Sequence, residues 1–346
     1  MTTSLYQAYL QAKQQHPEKY ARDLAKLLTI SEAELIHVRV GHDATRLTND
    51  IRGLLAALES VGETKSITRN EYAVHEQVGR YTNQHLSGHA GLVLNPYALD
   101  LRLFLNQWQS AFCLTEEGKR GTRHSIQFFD GYGDALHKVY TTENTDMGAW
   151  QKVIEAFIQQ DNPELAITPP EPAADKELKV DSQTIDSEWR AMTDVHQFFH
   201  LLQKHGITRQ QAFQAVDGDL AQRVDNQALR QILQMAKNDA NDIMVFIGNR
   251  GCVQIFTGKI ERVTPHEEWI NIFNKQFVMH LIERDIVESW VTRKPTKDGF
   301  VTSLELFAAD GTQIAQLYGQ RQEGQPEQQK WRDQIETILQ QQMVFA

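Results

Sequence analysis

Cysteine is nearly absent. Cys113 and Cys252 are the only two in 346 residues, and no CxxC or CxxCH spacing occurs, which excludes a disulfide framework and the commonest cysteine redox and metal motifs. A reducing cytoplasm fits this usage. Positive charge is in deficit as well: 35 Lys and Arg face 45 Asp and Glu, a formal net charge of −10. A general nucleic-acid binder draws its affinity from the opposite balance. Long apolar runs are missing too. No uninterrupted stretch approaches the roughly 20 residues a bilayer requires, and the opening MTTSLYQAYLQAKQQHPEKY has no apolar signal core. A soluble cytoplasmic protein with no membrane insertion is expected. Proline is sparse and unevenly placed: four of the nine fall in residues 161–186, a stretch with almost no aromatics that reads as an exposed Pro-rich linker.

What is present, above all, is an internal repeat. Residues 102–140 align without a gap on residues 280–318, an offset of 178 that pairs Leu103 with Leu281, Lys119 with Lys297, Gly121 with Gly299, Ser125 with Ser303, Phe129 with Phe307, Gly133 with Gly311 and Tyr140 with Tyr318. The length suits two domains of roughly 150 residues each, and a duplicated unit places them at 1–160 and 187–346 with the linker 161–186 between. Positions that have diverged in chemical type, Arg102 against His280 among them, are where function can have become one-sided.

Three-and-four spacing of apolar residues predicts helices at Leu5–Ala12, Tyr20–Leu28 and Glu32–Val38, then at Glu188–His205 and Arg209–Val216. Alternation predicts strands at Leu99–Leu105, Gln109–Thr115, His124–Phe129 and Ala135–Tyr140, repeated at Phe277–Glu283, Val287–Thr292, Thr302–Phe307 and Gln313–Tyr318, in each half at least a four-stranded meander with short Gly-containing turns. A closing helix starts near Trp150 and again near Trp331. The expected class is α+β with internal duplication, two repeats each holding a large antiparallel β-sheet flanked by helices.

Several residue patterns carry chemistry. His196 and His200 fall four apart on one predicted helix face, but the central Glu of a metalloprotease helix is missing and no third zinc ligand has telling spacing. Their apolar neighbours Trp189, Met192, Phe198 and Phe199 would equally wall an iron porphyrin bound by a neutral imidazole. Arg102 lies in a leucine-rich strand, where period two puts it with Phe104 on one face and Leu101, Leu103 and Leu105 on the other. It is either a surface cation or one directed into a ligand cavity. Gln316 and Tyr318 project on the side of Ile314, with polar tips able to meet a carboxylate. Lys294 and Arg209 are further cations of the second half, and Thr208 is a plausible helix cap, so an anion there could also use free backbone N–H groups. The GYG at 131–133 sits between two strands and is a hairpin turn, not a dinucleotide fingerprint. Ala21–Val40 has the rhythm of a helix-turn-helix, the sole basis for a DNA-binding regulator.

TRNEYAVHEQVGRY, NPYALDLRLFLNQW, EWRAMTDVHQFFHLL, GNRGCVQIFTGKIERVTPHEEWINIF and VTRKPTKDGFVTSLELFAADGTQIAQLYGQR together resemble the HemS/HmuS/ChuS family of cytoplasmic haem-handling proteins of Gram-negative bacteria, over nearly the whole chain. The resemblance implies two structural repeats, haem (iron protoporphyrin IX) held chiefly by the second, an axial histidine at His196 and a distal arginine at Arg102. It implies propionate and pocket contacts at Arg209, Lys294, Gln316, Tyr318 and Arg321, and aromatic pocket positions at Phe104 and Phe246. Haem would then cross-link the halves. His85, His89 and His200 stay open as alternative ligands. The implied activity is receipt of imported haem and oxidative ring opening that releases iron, with electrons from outside, NADH or a reductase. The alternative is a haem chaperone or storage protein without turnover. The inner-membrane hemin transporter and a haem acceptor are the implied partners.

Overall fold

The computed structural model describes residues 4–88, 90–118, 121–169 and 181–345. The chain divides into two compact units: unit 1 comprises Met1–Arg69, Glu76–Pro172 and Gly248–Gln254, and unit 2 comprises Asn70–His75, Ala173–Ile247 and Ile255–Ala346. His89, Lys119 and the 170–180 part of the expected linker lie outside the described residues.

The first half runs α1 (Leu5–Gln15), α2 (Ala21–Leu27), α3 (Glu32–His37), β1 (Ala44–Leu47), α4 (Ile51–Ala57), β2 (Gly62–Arg69), β3 (Ala73–Arg80), β4 (Gln84–His85), β5 (Gly91–Leu94), β6 (Asp100–Leu103), β7 (Ser110–Gly118), β8 (Gly121–Phe129), β9 (Ala135–Thr145) and α5 (Met147–Phe157). The second half repeats the order: α6 (Ser182–Arg190), α7 (Gln197–His205), α8 (Arg209–Gln214), β10 (Ala221–Val224), α9 (Ala228–Asp239), β11 (Ile243–Gly248), β12 (Cys252–Gly258), β13 (Val263–His266), β14 (Trp269–Phe273), β15 (Phe277–Ile282), β16 (Glu288–Thr296), β17 (Gly299–Phe307), β18 (Gln313–Gly319) and α10 (Gln329–Phe345). The duplication therefore reaches the helices. β7 and β16, and β8 and β17, keep the offset of 178 at both ends, and α3 and α8 keep one of 177. Both of these short helices begin with a capping box, Ser31 with Glu34 and Thr208 with Gln211, which satisfies two otherwise orphaned N–H groups at each start.

In unit 1 the antiparallel order is β1–β7–β8–β9–β2, with β4–β5–β6 as a further run; unit 2 has β10–β16–β17–β18–β11 and β13–β14–β15. This corrects the four-stranded meander. β6 and β15 pair with β5 and β14 instead of the strands that follow them, because the 3-10 turns Leu105–Gln107 and Glu283–Asp285 redirect the chain between the two. Alternation identifies a strand but not its neighbour. Each unit has its own core: Leu101, Leu103, Phe128, Val139 and Trp150 in unit 1, and Val245, Leu304, Leu306, Leu317 and Trp331 in unit 2. Full burial of one such side chain stabilises by about 1.5–3 kcal/mol.

One expected helix changes. The single helix Glu188–His205 is broken into α6 and α7, since Gln197 Oε1 accepts from the backbone N–H groups of Thr193 and Asp194 and fixes a turn there. α6 also starts at Ser182, inside the expected linker, capped by Asp181. In α3, Glu32, Ala33, Leu35 and Ile36 are buried, so the second helix of the helix-turn-helix reading is committed to packing.

The GYG turn is a hairpin as expected. Gly133 has φ +82, and a Cβ there would lie 2.2 Å from Ser31 Oγ, whereas Gly311, with φ +81, has its nearest neighbour at 3.6 Å. Gly311→Ala is expected to cost about 1–2 kcal/mol for left-handed backbone strain alone. Gly133→Ala should cost about 1 kcal/mol more, because it also displaces the α3 cap. Urea midpoints of the two variants check this; equal costs would contradict it.

Candidate functional site

The expected polar positions of the second half converge on one face of the β16–β17–β18–β11 sheet in unit 2. A β-bulge between Leu306 and Phe307 shifts the register opposite β18. It corrects the expected strand faces: Ile314 joins Ala315 and Leu317 in the core, while Gln313, Gln316 and Tyr318 stay half-buried on the other side. Phe246 of β11 meets the Tyr318 ring edge-on, centroids 5.0 Å apart.

At the centre lies Glu305 of β17, which the sequence reading did not single out. Its side chain has no solvent exposure. Arg209 holds it through Nε to Oε2 at 2.9 Å and Nη2 to Oε1 at 3.1 Å. Lys294 Nζ donates to Oε1 at 2.8 Å and to Thr292 Oγ1 at 2.7 Å. Ser303 Oγ donates to Oε1 at 3.0 Å and Gln313 Nε2 to Oε2 at 2.7 Å. Lys294 Nζ also sits 4.8 Å from the Phe198 ring centroid, and the Arg209 guanidinium 5.0 Å from the same ring, so both cations gain from the ring face in a dry site. Burial alone would push the Glu305 carboxyl up, but Arg209 and then Lys294 prevail and hold it far below the usual carboxylate range. Burial, assisted by Arg209 and opposed by Glu305, brings the Lys294 ammonium down to about 8. Burial and the Glu305 charge raise the Tyr318 phenol. Two cations against one carboxylate leave one surplus positive charge in this interior.

Lys294 departs from its expected place at a ligand's edge. It is 3% exposed and lies under the aromatic cluster, while Arg209 is 24% exposed and reaches the surface. Two of the backbone N–H groups expected to serve an anion at Thr208 are already used, since Thr208 N donates to Gln211 Oε1 and Gln211 N to Thr208 Oγ1.

His196 stands at the N-cap of α7 with its side chain 88% exposed. Asp194 Oδ1 accepts from its backbone N–H at 2.8 Å and from Nδ1 at 2.7 Å, which fixes the tautomer and leaves the Nε2 lone pair as the one a metal could use. The His196 backbone N–H, more than its ring, holds the Asp194 carboxyl below its ordinary value, and Arg321 adds to this. Arg321 is thereby near the His196 turn. The D-x-H spacing was the available signal for Asp194. His200 borders an open groove between α6 and α7 with Glu188, Met192 and Lys204, His85 is exposed on β4, and no group of three metal-ligating side chains occurs among the described residues.

Arg102 and Phe104 belong to unit 1. Leu101 and Leu103 are fully buried while Arg102 is about one-third exposed, as alternation predicts. Its Nη1 pairs with Asp100, whose carboxyl is raised by burial against the opposing pull of Arg102. Phe104 falls just past β6 and is 37% exposed. Its N–H donates at 2.9 Å to Gly251 O, which also accepts from Trp108 Nε1 at 2.8 Å.

The Lys294 shift sets a pH dependence. With a folded pKa of about 8 below the unfolded value of about 10.4, the unfolded chain binds more protons between these limits, so this group makes stability rise with pH across that window. Urea unfolding from pH 7.5 to 10 is expected to reveal the rise, and Lys294→Met to flatten it; an unchanged slope in the variant would contradict the assignment.

Comparison with known proteins places this geometry. The family model described as "Haemin-degrading HemS.ChuX domain" matches residues 29–157 and again 206–338, one match per repeat. The chain is 69% identical over 339 residues to the hemin transport protein HmuS of Yersinia pestis, covering 98% of each. Among solved structures, the heme degrading enzyme ChuS of Escherichia coli O157:H7 is 62% identical with a TM-score of 0.93, covering 96% of this chain and 98% of that one. Holo-PhuS, a heme-binding protein from Pseudomonas aeruginosa, is 40% identical with a TM-score of 0.91 over 96% and 98%. Two matches of one model, in register with the structural repeat, make this chain a member of the HemS family with both copies of its domain.

Proposed function

We propose that the protein binds haem as its substrate and opens the ring oxidatively, releasing iron, with oxygen and electrons from an external donor, NADH or a reductase. The observation that carries the reading is the make-up of unit 2: an imidazole with Nε2 open, half-buried aromatic rings, and a cationic end with one surplus charge. A porphyrin presents the complement of each part, an iron, an apolar disc and two carboxylates. His196 is assigned as axial ligand, oriented by Asp194. Phe246 and Phe104 are assigned to the ring, and Arg209, Gln316, Tyr318 and Arg321 to the propionate edge, with Lys294 acting behind them through Glu305. Bound haem supplies the redox chemistry. Arg102, held by Asp100, is the cation assigned to the oxygen chemistry, where a fixed positive charge would stabilise negative charge developing on a ligand. Similarity to relatives supports each half of the proposal, since ChuS from E. coli is described as a heme oxygenase and PhuS as a heme-binding protein.

The PhuS description favours a second reading, a cytoplasmic haem chaperone passing its cargo from the inner-membrane hemin transporter to an acceptor. Single turnover with a reductant and catalase separates the two: ring-opened product supports the enzyme, unchanged haem the chaperone. In hemin titrations followed at the Soret band, His196→Ala is expected to alter the spectrum and abolish tight binding. Asp194→Ala should keep the ligand and weaken binding roughly tenfold or more. A His196→Ala protein with unaltered spectrum and affinity refutes the ligand assignment.

A further inference from the structure

We propose that Glu305 is the positioning residue of the carboxylate-binding end of the site: fully buried, it fixes Arg209 and sets the direction of the Gln313–Gln316–Tyr318 chain, leaving the Nη1 edge of Arg209 and the second N–H of the Gln316 amide as the donors for a carboxylate-bearing ligand. The inference rests on the haem reading above and deepens it. Three observations carry it. The Nε and Nη2 atoms of Arg209 are both turned inward onto Glu305, which leaves the Nη1 edge of a partly exposed guanidinium for a ligand. A side chain so held has little rotamer entropy left to lose on binding.

The second observation is the direction of the hydrogen-bond chain. Tyr318 O–H donates to Gln316 Oε1 at 2.8 Å, Gln316 Nε2 to Gln313 Oε1 at 2.5 Å, and Gln313 Nε2 to Glu305 Oε2 at 2.7 Å. Every donor points toward Glu305. An ionised carboxylate only accepts, so the end of the chain dictates the orientation of both amides before it. A glutamine at 305 would bring its own donors and remove that constraint.

The third is that the arrangement occurs in one repeat only. At the offset of 178, Glu305 corresponds to Gln127, Lys294 to Glu116 and Gln316 to Lys138; at the helix offset of 177, Arg209 corresponds to Glu32. In unit 1, Lys138 pairs with Glu32 and Gln127 Nε2 donates to Ser125 Oγ. The shared fold therefore does not require a carboxylate at this point of β8 or β17.

The test compares hemin with its propionate dimethyl ester on wild type and on Glu305→Gln, with thermal melts to establish folding. Wild type should prefer hemin by roughly tenfold to a hundredfold, as expected for charge-assisted hydrogen bonds to a carboxylate. In Glu305→Gln the preference should collapse to within about threefold, with ester affinity unchanged. The pH profile adds a readout that general loosening would not move. Lys294 is faced by Glu305 from β17 and Arg209 from α8. The wild-type preference should fall above about pH 8, whereas the small preference left in the variant should be flat across that range, since the carboxylate that retains the Lys294 proton is gone. A folded Glu305→Gln protein with the wild-type ratio and profile overturns the proposal. If that variant does not fold, Glu305→Asp, which keeps the charge but shortens the reach, should lose part of the preference; a full preference there overturns it equally. Wild type that binds hemin and ester alike overturns the role of this edge but leaves haem binding standing, whereas wild type with no Soret response to hemin removes the haem reading itself.

Discussion

A carboxylate with no access to water must find all of its partners inside the protein, and the second unit is organised around one. Glu305 receives bonds from Arg209, Lys294, Ser303 and Gln313, which is what an ionised side chain requires to remain charged in a low-dielectric interior. Removing any of these donors leaves a lone pair unpaired where no solvent can replace it. The cost falls on the whole group rather than one contact, since such networks are coupled. The aromatic cluster of Trp189, Phe198 and Phe213 closes over the cations. That cover excludes water, which strengthens the pairing and gives burial its leverage over Lys294.

The elements that deliver these side chains are set by local chemistry. Thr208 and Gln211 cap α8 and so place Arg209 at its first turn. The bulge in β18 turns Gln313 to the side of Gln316 and Tyr318, without which period two would have sent it to the opposite face. The break between α6 and α7 has the same character. Thr193 and Asp194 take side-chain bonds in place of helix, and the ring of His196 is aimed by that turn. The candidate ligand and the cationic edge thus depend on three short irregularities in otherwise regular structure.

These irregularities also explain which parts of the molecule are legible in the sequence. The duplication was plain, and β7, β8, β16 and β17 keep its offset to the residue, because their alternation and flanking glycines survive in both halves. Strand partners were not legible: β6 reads as a strand from LRL, yet nothing in that tripeptide distinguishes pairing with β5 from pairing with β7. Arg209, Gln316 and Tyr318 were accessible through the family resemblance and do share one face. Lys294 lies two residues beyond the expected strand Val287–Thr292 but inside β16, and its burial follows from aromatic residues far away in sequence. Glu305 escaped notice because an acid in SLELF looks like the polar member of a half-exposed strand. Only the convergence of Arg209, Lys294 and Gln313 from three other elements makes it the centre.

The comparison of the repeats with each other argues that the two units, alike in backbone, have been driven to different electrostatics at the same address. In unit 2 a basic residue follows the helix cap, and the sheet answers with a carboxylate at 305. In unit 1 an acidic residue, Glu32, follows the cap, and the sheet answers with Lys138 one strand further along. Each solution neutralises the helix residue, so neutralisation alone does not select between them. The difference is what remains. In unit 1 Lys138 pairs with Glu32, with Arg69 close enough to act on both, while Glu116 is taken by Arg39, which is itself shared with Asp43. In unit 2 a second cation, Lys294, sits on the same carboxylate and leaves a positive charge unmatched. Folding gains nothing from an unmatched buried charge, and a sequence under selection for stability alone would have no reason to keep it. What sets unit 2 apart is that both cations converge on one fully buried carboxylate and that one of them, Arg209, reaches the surface, which is the arrangement on which the proposed anionic ligand edge rests.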